Sequence, residues 1–216
     1  MDISIEKALA SFKSHIIDHA TLANILLTLG YARINDKIAD LKRKGMIVSL
    51  KSGLYVHTST LSSNIVSKEM IANNLLGPSY ISFDYALSFY GLIPERVHEV
   101  TSATTKRSKA FQTDFGVFSY RQINKEIYPI GLQIHSLKNG NFLMASKEKA
   151  LCDKVYFTKD ISIRTKSAMM EFLINDLRID LDELINCDIE TLKHYKNISK
   201  SKKIELLASI LEGLKQ

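Results

Sequence analysis

The sequence predicts an α+β protein, and three observations carry that expectation. Apolar residues recur at helical spacing in two short runs between Thr21 and Lys44, each closed by a glycine. From Val97 to Ala145 the apolar runs are short, β-type and separated by turn residues, with helical patterns on both sides. After about residue 160 the apolar positions fall on helical stripes again. Short strands and helices mixed in this order indicate α+β rather than a doubly wound sheet.

The elements follow in order. Residues 2–13 place Ile5, Leu9 and Phe12 on one helical face. Thr21 to Leu29 carries Leu22, Ile25, Leu26 and Leu29 as a single stripe, and Gly30 stands where a helix stops because glycine accepts a left-handed backbone. Tyr31 to Lys44 resumes helical spacing with Ile34, Ile38 and Leu41, and Gly45 closes it. Met46 to Leu50 and Leu54 to Val56 are β-type runs joined by Lys51, Ser52 and Gly53, a turn with glycine where positive φ is needed. Helix, glycine, helix, glycine, hairpin is the order of a winged helix-turn-helix, with the helix of residues 2–13 packed behind as its third.

The hydroxyl-rich stretch 57–66 ends that unit, so two domains are expected, 1–62 and 63–216. In the second, Ser67 caps a helix that runs to Leu76 and is stopped by Gly77-Pro78. Ser79 to Tyr90 reads as a buried helix starting near Ser82 and ending at Gly91. Val97 to Thr104 and Phe115 to Tyr120 read as strands, with Thr104 to Phe111 between them as a basic loop or hairpin tip. Leu132 to Leu137 and Phe142 to Ala145 form a hairpin turned at Asn139-Gly140, and Ser146 caps a helix over Lys147 to Phe157. The tail has a helix at Ala168 to Leu177, a polar basic joint at Asn197 to Lys203, and a last helix striped by Ile204, Leu207, Leu211 and Leu214.

Composition sets the outer limits. The 216 residues are 45% hydrophobic, enough for substantial cores, and the formal charge is +6. That bias permits nucleic acid as a partner without proving it. No apolar run approaches the ~20 residues of a membrane span, and Met1 to Ser4 lacks the order of a secretion signal. No membrane is expected, and the cytoplasm is the expected location. Cys152 and Cys187 form no CxxC pair and read as buried, reduced thiols.

The charged residues around the second helix point to DNA. With Ile34, Ile38 and Leu41 turned inward, Ala32, Asp36, Ala39 and Arg43 face outward. Arg33, Lys37 and Lys44 lie along one flank, Asn35 and Lys42 along the other. Small residues at an outward centre with cations at the edges suit a major groove. Arg33 and Asn35 have the donor and acceptor geometry for guanine and adenine edges. Lys42, Arg43, Lys44 and the wing residues Lys51 and Ser52 read as phosphate contacts. Asp36 and Asp40 would repel phosphate unless each pairs with a cation one turn away. The loop cations Lys106, Arg107 and Lys109 extend this basic surface or form a solvated hairpin tip. The alternative for the whole unit is a protein-interaction module with an ordinary solvated helix face.

Enzymatic chemistry finds little support. Glu148, Lys149 and Asp153 raise the idea of a metal-dependent nuclease, but Glu148 and Lys149 are adjacent on a predicted helix and Asp153 lies on another face. An N-terminal carboxylate and surface ion pairs account for them instead. Of the six histidines only His15 and His19 are spaced like ligands, and solvated or capping roles are expected. Phosphate loops and nucleophile elbows are absent, and no cofactor or catalytic residue is expected.

Several runs resemble AbiEi-type antitoxins of type IV toxin–antitoxin systems. They are Leu41 to Val48 (LKRKGMIV), Ser52 to Val56 (SGLYV), Ser79 to Ser82 (SYIS), Ala86 to Pro94 (ALSFYGLIP), Glu99 to Arg107 (EVTSATTKR) and Ala145 to Asp153 (ASKEKALCD). Together they cover roughly residues 20–157, and the ordered later set is more specific than the winged-helix part. The resemblance implies a bacterial antitoxin whose winged helix represses its own operon, binding double-stranded operator DNA. Its second domain would counter a nucleotidyltransferase-like toxin, often in defence against phage. The resemblance assigns no role to Tyr90, Gly91, Thr101, Glu148, Lys149 or Asp153.

Overall fold

The computed structural model describes residues 3–58, 66–159 and 163–215. The expected domain boundary at residues 62 and 63, and the expected start of the tail near 160, lie outside the described residues. The chain is α+β, with a mixed sheet and a helical C-terminal tail. Among the described residues no helix is long and apolar enough to cross a membrane.

The N-terminal part contains α1 (Ile3–Ala10), β1 (Ile16–Asp18), α2 (His19–Thr28), α3 (Ile34–Arg43), β2 (Ile47–Lys51) and β3 (Leu54–His57). Asp18 starts α2 by accepting the Thr21 amide at 3.0 Å and the Thr21 hydroxyl at 2.7 Å, which moves the helix start ahead of the apolar stripe. Gly30 and Gly45 adopt φ of +85° and +67°, the left-handed stops that the sequence places there. β1 is the one element of this part absent from the sequence reading. Two isoleucines carry no period, and they become a strand because β3 offers them an antiparallel partner, Ile17 opposite Tyr55.

The strand order β1-β3-β2 makes an antiparallel sheet with two apolar faces. Ile17, Ile47 and Tyr55 join Ile5, Leu9, Leu22, Leu26, Ile38 and Leu41 in a small core under the three helices. Their neighbours Ile16, Leu50, Leu54 and Val56 belong to the large core of the rest of the molecule. Alternation along each strand thus sends successive side chains into different cores. This packing holds the front of the chain against the body and leaves α3 on the far side.

The body has a six-stranded mixed sheet of order β6-β7-β5-β4-β9-β8. Its strands are β4 (Ser79–Ile81), β5 (Val100–Thr104), β6 (Lys109–Thr113), β7 (Gly116–Gln122), β8 (Leu132–Leu137) and β9 (Gly140–Ala145). The helices are α4 (Lys68–Leu75), α5 (Phe83–Phe89), α6 (Lys147–Phe157), α7 (Lys166–Glu171), α8 (Leu181–Ile185), α9 (Ile189–Ser199) and α10 (Lys202–Leu214), with a π-helical turn, Phe172–Asp176, continuing α7. Ser67 and Ser146 cap α4 and α6 through the Met70 and Lys149 amides, at 3.3 and 3.2 Å.

Three expectations need correcting here. Ser79 to Ile81, read as the approach to a helix, is a central strand between β5 and β9, fully buried; an all-apolar stretch this short fits a buried strand equally well. Lys109 to Phe111, read as loop, lie on edge strand β6, paired with β7. The joint at Asn197 to Lys203 shrinks to Lys200 and Ser201, because α9 runs to Ser199 and α10 begins at Lys202. Lys200 takes a left-handed φ of 49° at that corner.

Candidate nucleic-acid interface

Helix α3 buries Ile38 and Leu41 and turns a polar face to solvent. Arg33 stands at its N-cap without making a capping bond, and Asn35 and Asp36 are exposed in the first turn. Ala32 to Asp36 line an open depression at this end. Lys42, Arg43 and Lys44 are exposed at the other end, about 15 Å away at the rise of an α-helix.

Asp40 organises the cations between them. Its carboxylate lies 2.8 Å from the Lys44 ammonium, 2.6 Å from Arg43 and 3.9 Å from Lys37. Hydrogen bonds from Lys44 and then Arg43 hold its carboxyl below the usual aspartate range. Lys37 is not a freely extended flank: its side chain is 18% exposed and its ammonium sits 4.5 Å from the Tyr31 ring centre. Asp40 therefore has the partners one turn away that its position required, while Asp36 remains a negative charge on the outward face.

Lys51 needs a correction. Its ammonium donates to the Leu75 carbonyl at 2.6 Å, at the last residue of α4, so it points back into the body rather than out from the hairpin tip. A cation at a helix C-terminus meets unpaired carbonyls and the negative end of the dipole. Burial, then Lys109 and Lys106 nearby, lower its pKa. Ser52 is exposed at the hairpin tip as expected. The packing of β2 near β6 brings Lys51, Lys106 and Lys109 into one electrostatic neighbourhood, with Lys106 and Arg107 exposed. The Lys109 ammonium lies 4.7 Å from the Phe111 ring centre.

Glu148, Lys149 and Asp153 need a larger correction, for none of them makes a surface ion pair. Lys149 and Asp153 meet at 3.1 Å with both side chains fully buried. Asp153 also accepts the hydroxyls of Ser82 at 2.7 Å, Tyr195 at 2.8 Å and Tyr80 at 2.9 Å. Lys149 donates to the Ile127 carbonyl at 2.9 Å. Burial, then Asp153, pushes Tyr80 and Tyr195 far above the usual phenol range, so both keep their protons and donate. Burial lowers Lys149, opposed by Asp153. Glu148 accepts the Asp188 amide at 3.0 Å, just ahead of α9. These groups tie α6 to β4 and α9, and Asp153 turns no oxygen to solvent.

The other motif residues are equally structural. The Thr101 hydroxyl donates to the Ser82 carbonyl at 2.7 Å and accepts the Tyr85 amide at 3.2 Å, fixing the start of α5. Tyr90 donates to the Ala145 carbonyl at 2.9 Å, and Gly91 closes the helix at φ +73°. Two histidines depart from their expected solvated or capping roles. His15 and His57 are buried with ring centres 4.4 Å apart, and burial lowers both. They lie at paired strand ends, where the His57 amide donates to the His15 carbonyl at 2.9 Å.

The fold and this surface define a small α+β protein with a cation-edged helix presented away from its body. In structure the chain is similar to the Rv2827c protein from Mycobacterium tuberculosis, with a TM-score of 0.65 and 12% sequence identity over 99% of this chain and 76% of that one. That likeness establishes the fold alone. No protein-family profile and no curated protein matches the sequence.

Proposed function

We propose that residues 1–62 form a winged helix-turn-helix that binds double-stranded DNA through α3. The protein would act in the cytoplasm as a transcriptional regulator of its own operon. The carrying observation is the separation on α3: Arg33, Asn35, Lys42, Arg43 and Lys44 are exposed while Ile38 and Leu41 are buried, and the body packs on the opposite side of the sheet. Arg33 and Asn35 at the helix start are the base readers in this proposal, and the cations at its end contact phosphate. Lys106 and Arg107 extend the phosphate surface, while Lys51 acts in the packing of the two parts. On the sequence resemblance to AbiEi-type antitoxins, the body would counter a nucleotidyltransferase-like toxin.

A protein-interaction reading is favoured by one feature on α2. Leu27 is 57% exposed, beside a groove lined by Ala8, Ile25 and Leu29 between α1 and α2. A shift assay with the DNA upstream of the chain's own gene, at two salt concentrations, separates the readings. DNA binding predicts a retarded complex that weakens steeply with salt. No complex at the lower salt would reject it and leave the α2 groove as the working surface.

A further inference from the structure

An open cleft of about 650 Å³ lies on the body, between the β7 end of the sheet, the C-terminal end of α6 and the π-helical turn. Its rim carries Arg121, Lys154 and Lys159, and its floor is apolar, from Phe157, Phe172 and Leu177. The volume lies within the ~300–1,000 Å³ of small-molecule sites, and a mostly apolar floor with a few placed polar groups is their usual make-up. We propose that this cleft binds a nucleoside phosphate, with the cations on the phosphate and the ring system over the aromatic floor. The site is independent of the DNA reading.

Two backbone irregularities meet at this cleft. Phe83 holds φ at +58° while fully buried, an uncommon conformation for a bulky residue. Its ring lies under the Arg121 guanidinium at 5.2 Å and packs edge-on against Phe157 at 5.4 Å. The second is the π-helical turn Phe172–Asp176, which supplies Phe172 to the floor and Asp176 to the rim. π-Turns and left-handed non-glycine residues are both frequent at functional sites. Arg121 is thus stacked on a ring with its guanidinium at the cleft, a geometry suited to forked recognition of phosphate oxygens.

The acidic groups define the ligand further. Lys154 is paired with Asp84 at 2.6 Å, so an entering phosphate competes with one carboxylate for that ammonium. Asp176, a second carboxylate on the rim, repels phosphate and accepts hydrogen bonds from hydroxyls or ring amines. A bare anion therefore faces opposing charges that a nucleoside can offset through its sugar or base. Ser108, whose side chain accepts the Gln122 amide at 2.9 Å, joins the cleft to the turn of Lys106 and Arg107.

Calorimetric titration of the full chain with ATP, GTP, adenosine, inorganic phosphate and tripolyphosphate tests the assignment. Saturable binding of a nucleotide is expected, with adenosine and inorganic phosphate each about tenfold weaker or worse, as losing one half of the contacts implies. Arg121→Gln and Lys159→Gln should each weaken the nucleotide about fivefold or more. Lys159 is exposed, so its variant reads the site even if Arg121→Gln disturbs the stack on Phe83. Arg33→Ala should leave nucleotide binding unchanged, which keeps a failure here distinct from a failure on α3. A 5′-phosphorylated oligonucleotide that competes better than free ATP supports the same chemistry and assigns its source to a nucleic-acid end. Absence of saturation by about 5 mM nucleotide overturns the proposal. So does tripolyphosphate binding as tightly as ATP, or a Lys159→Gln protein that binds like the wild type.

Discussion

Helices α3 and α6 carry the same chemical device in opposite surroundings. Each pairs an aspartate and a lysine one turn apart, Asp40 with Lys44 at 2.8 Å and Lys149 with Asp153 at 3.1 Å. On α3 the Lys44 side chain is 56% exposed, water screens the pair, and the cations keep the freedom to change partners. On α6 both side chains are sealed, and three hydroxyls complete the aspartate's shell. Desolvation makes that pair indispensable once formed, although it need not add net stability over an apolar core. One device serves exchangeable contacts at a surface, the other fixes how helices and a central strand register. The difference assigns α3 to recognition and α6 to architecture.

The largest effect should come from breaking the sealed pair. Asp153→Asn leaves the Lys149 ammonium buried without its counter-charge, and unfolding in denaturant should show a loss of about 3–5 kcal/mol. Tyr195→Phe removes one of the three hydroxyl donors and should cost about 1–3 kcal/mol in the same experiment. If either protein unfolds like the wild type, the network contributes nothing and the contrast between the helices fails. Asp40→Asn sharpens the contrast from the other side. Its denaturation midpoint should not move, while DNA affinity rises as Arg43 and Lys44 are released to phosphate. An equal destabilisation by Asp40→Asn and Asp153→Asn would contradict the account.

A smaller effect concerns the histidine pair of the N-terminal part. Burial lowers His15 and His57 below the unfolded value of 6.5, so the unfolded chain binds more protons in the window just below it. Stability is then complete above about pH 6.5 and falls as pH drops below it, towards the lowered folded values. His15 has φ of 57°, a conformation asparagine tolerates, so His15→Asn should keep the fold and flatten part of that pH dependence. A wild-type stability that is flat between pH 7.5 and 5 would remove the pair from consideration.

What the sequence disclosed follows the range of its signals. The helices of the front part were legible because stripes such as Leu22 with Leu26 and Ile38 with Leu41 are local, and the glycines mark their ends. The turned-out side of α3 followed from the same wheel. The strands β1 and β4 were illegible, since three residues have no period and depend on partners supplied from elsewhere in the chain. The environment of Asp153 was hidden for a similar reason. Its partners Tyr80 and Tyr195 come from β4 and α9, and a lysine-aspartate pair reads alike in water or in a core. α9 had usable signals in the Asp188 cap and in Leu192 and Tyr195 at helical spacing, thinned by the polar residues between them. Lys51 failed as a wing contact because its acceptor is on α4, across an interface that only the folded chain creates.

The central claim is that α3 meets DNA through its exposed cations. Its most direct test is the salt dependence of binding to the upstream DNA, measured by fluorescence anisotropy for the wild type and for the triple change Arg33→Ala, Arg43→Ala and Lys44→Ala. The account predicts weaker binding and a log–log salt slope reduced by roughly 2–3, about one for each lost phosphate contact, with an unchanged melting temperature. A triple variant with wild-type affinity and the wild-type slope would contradict it.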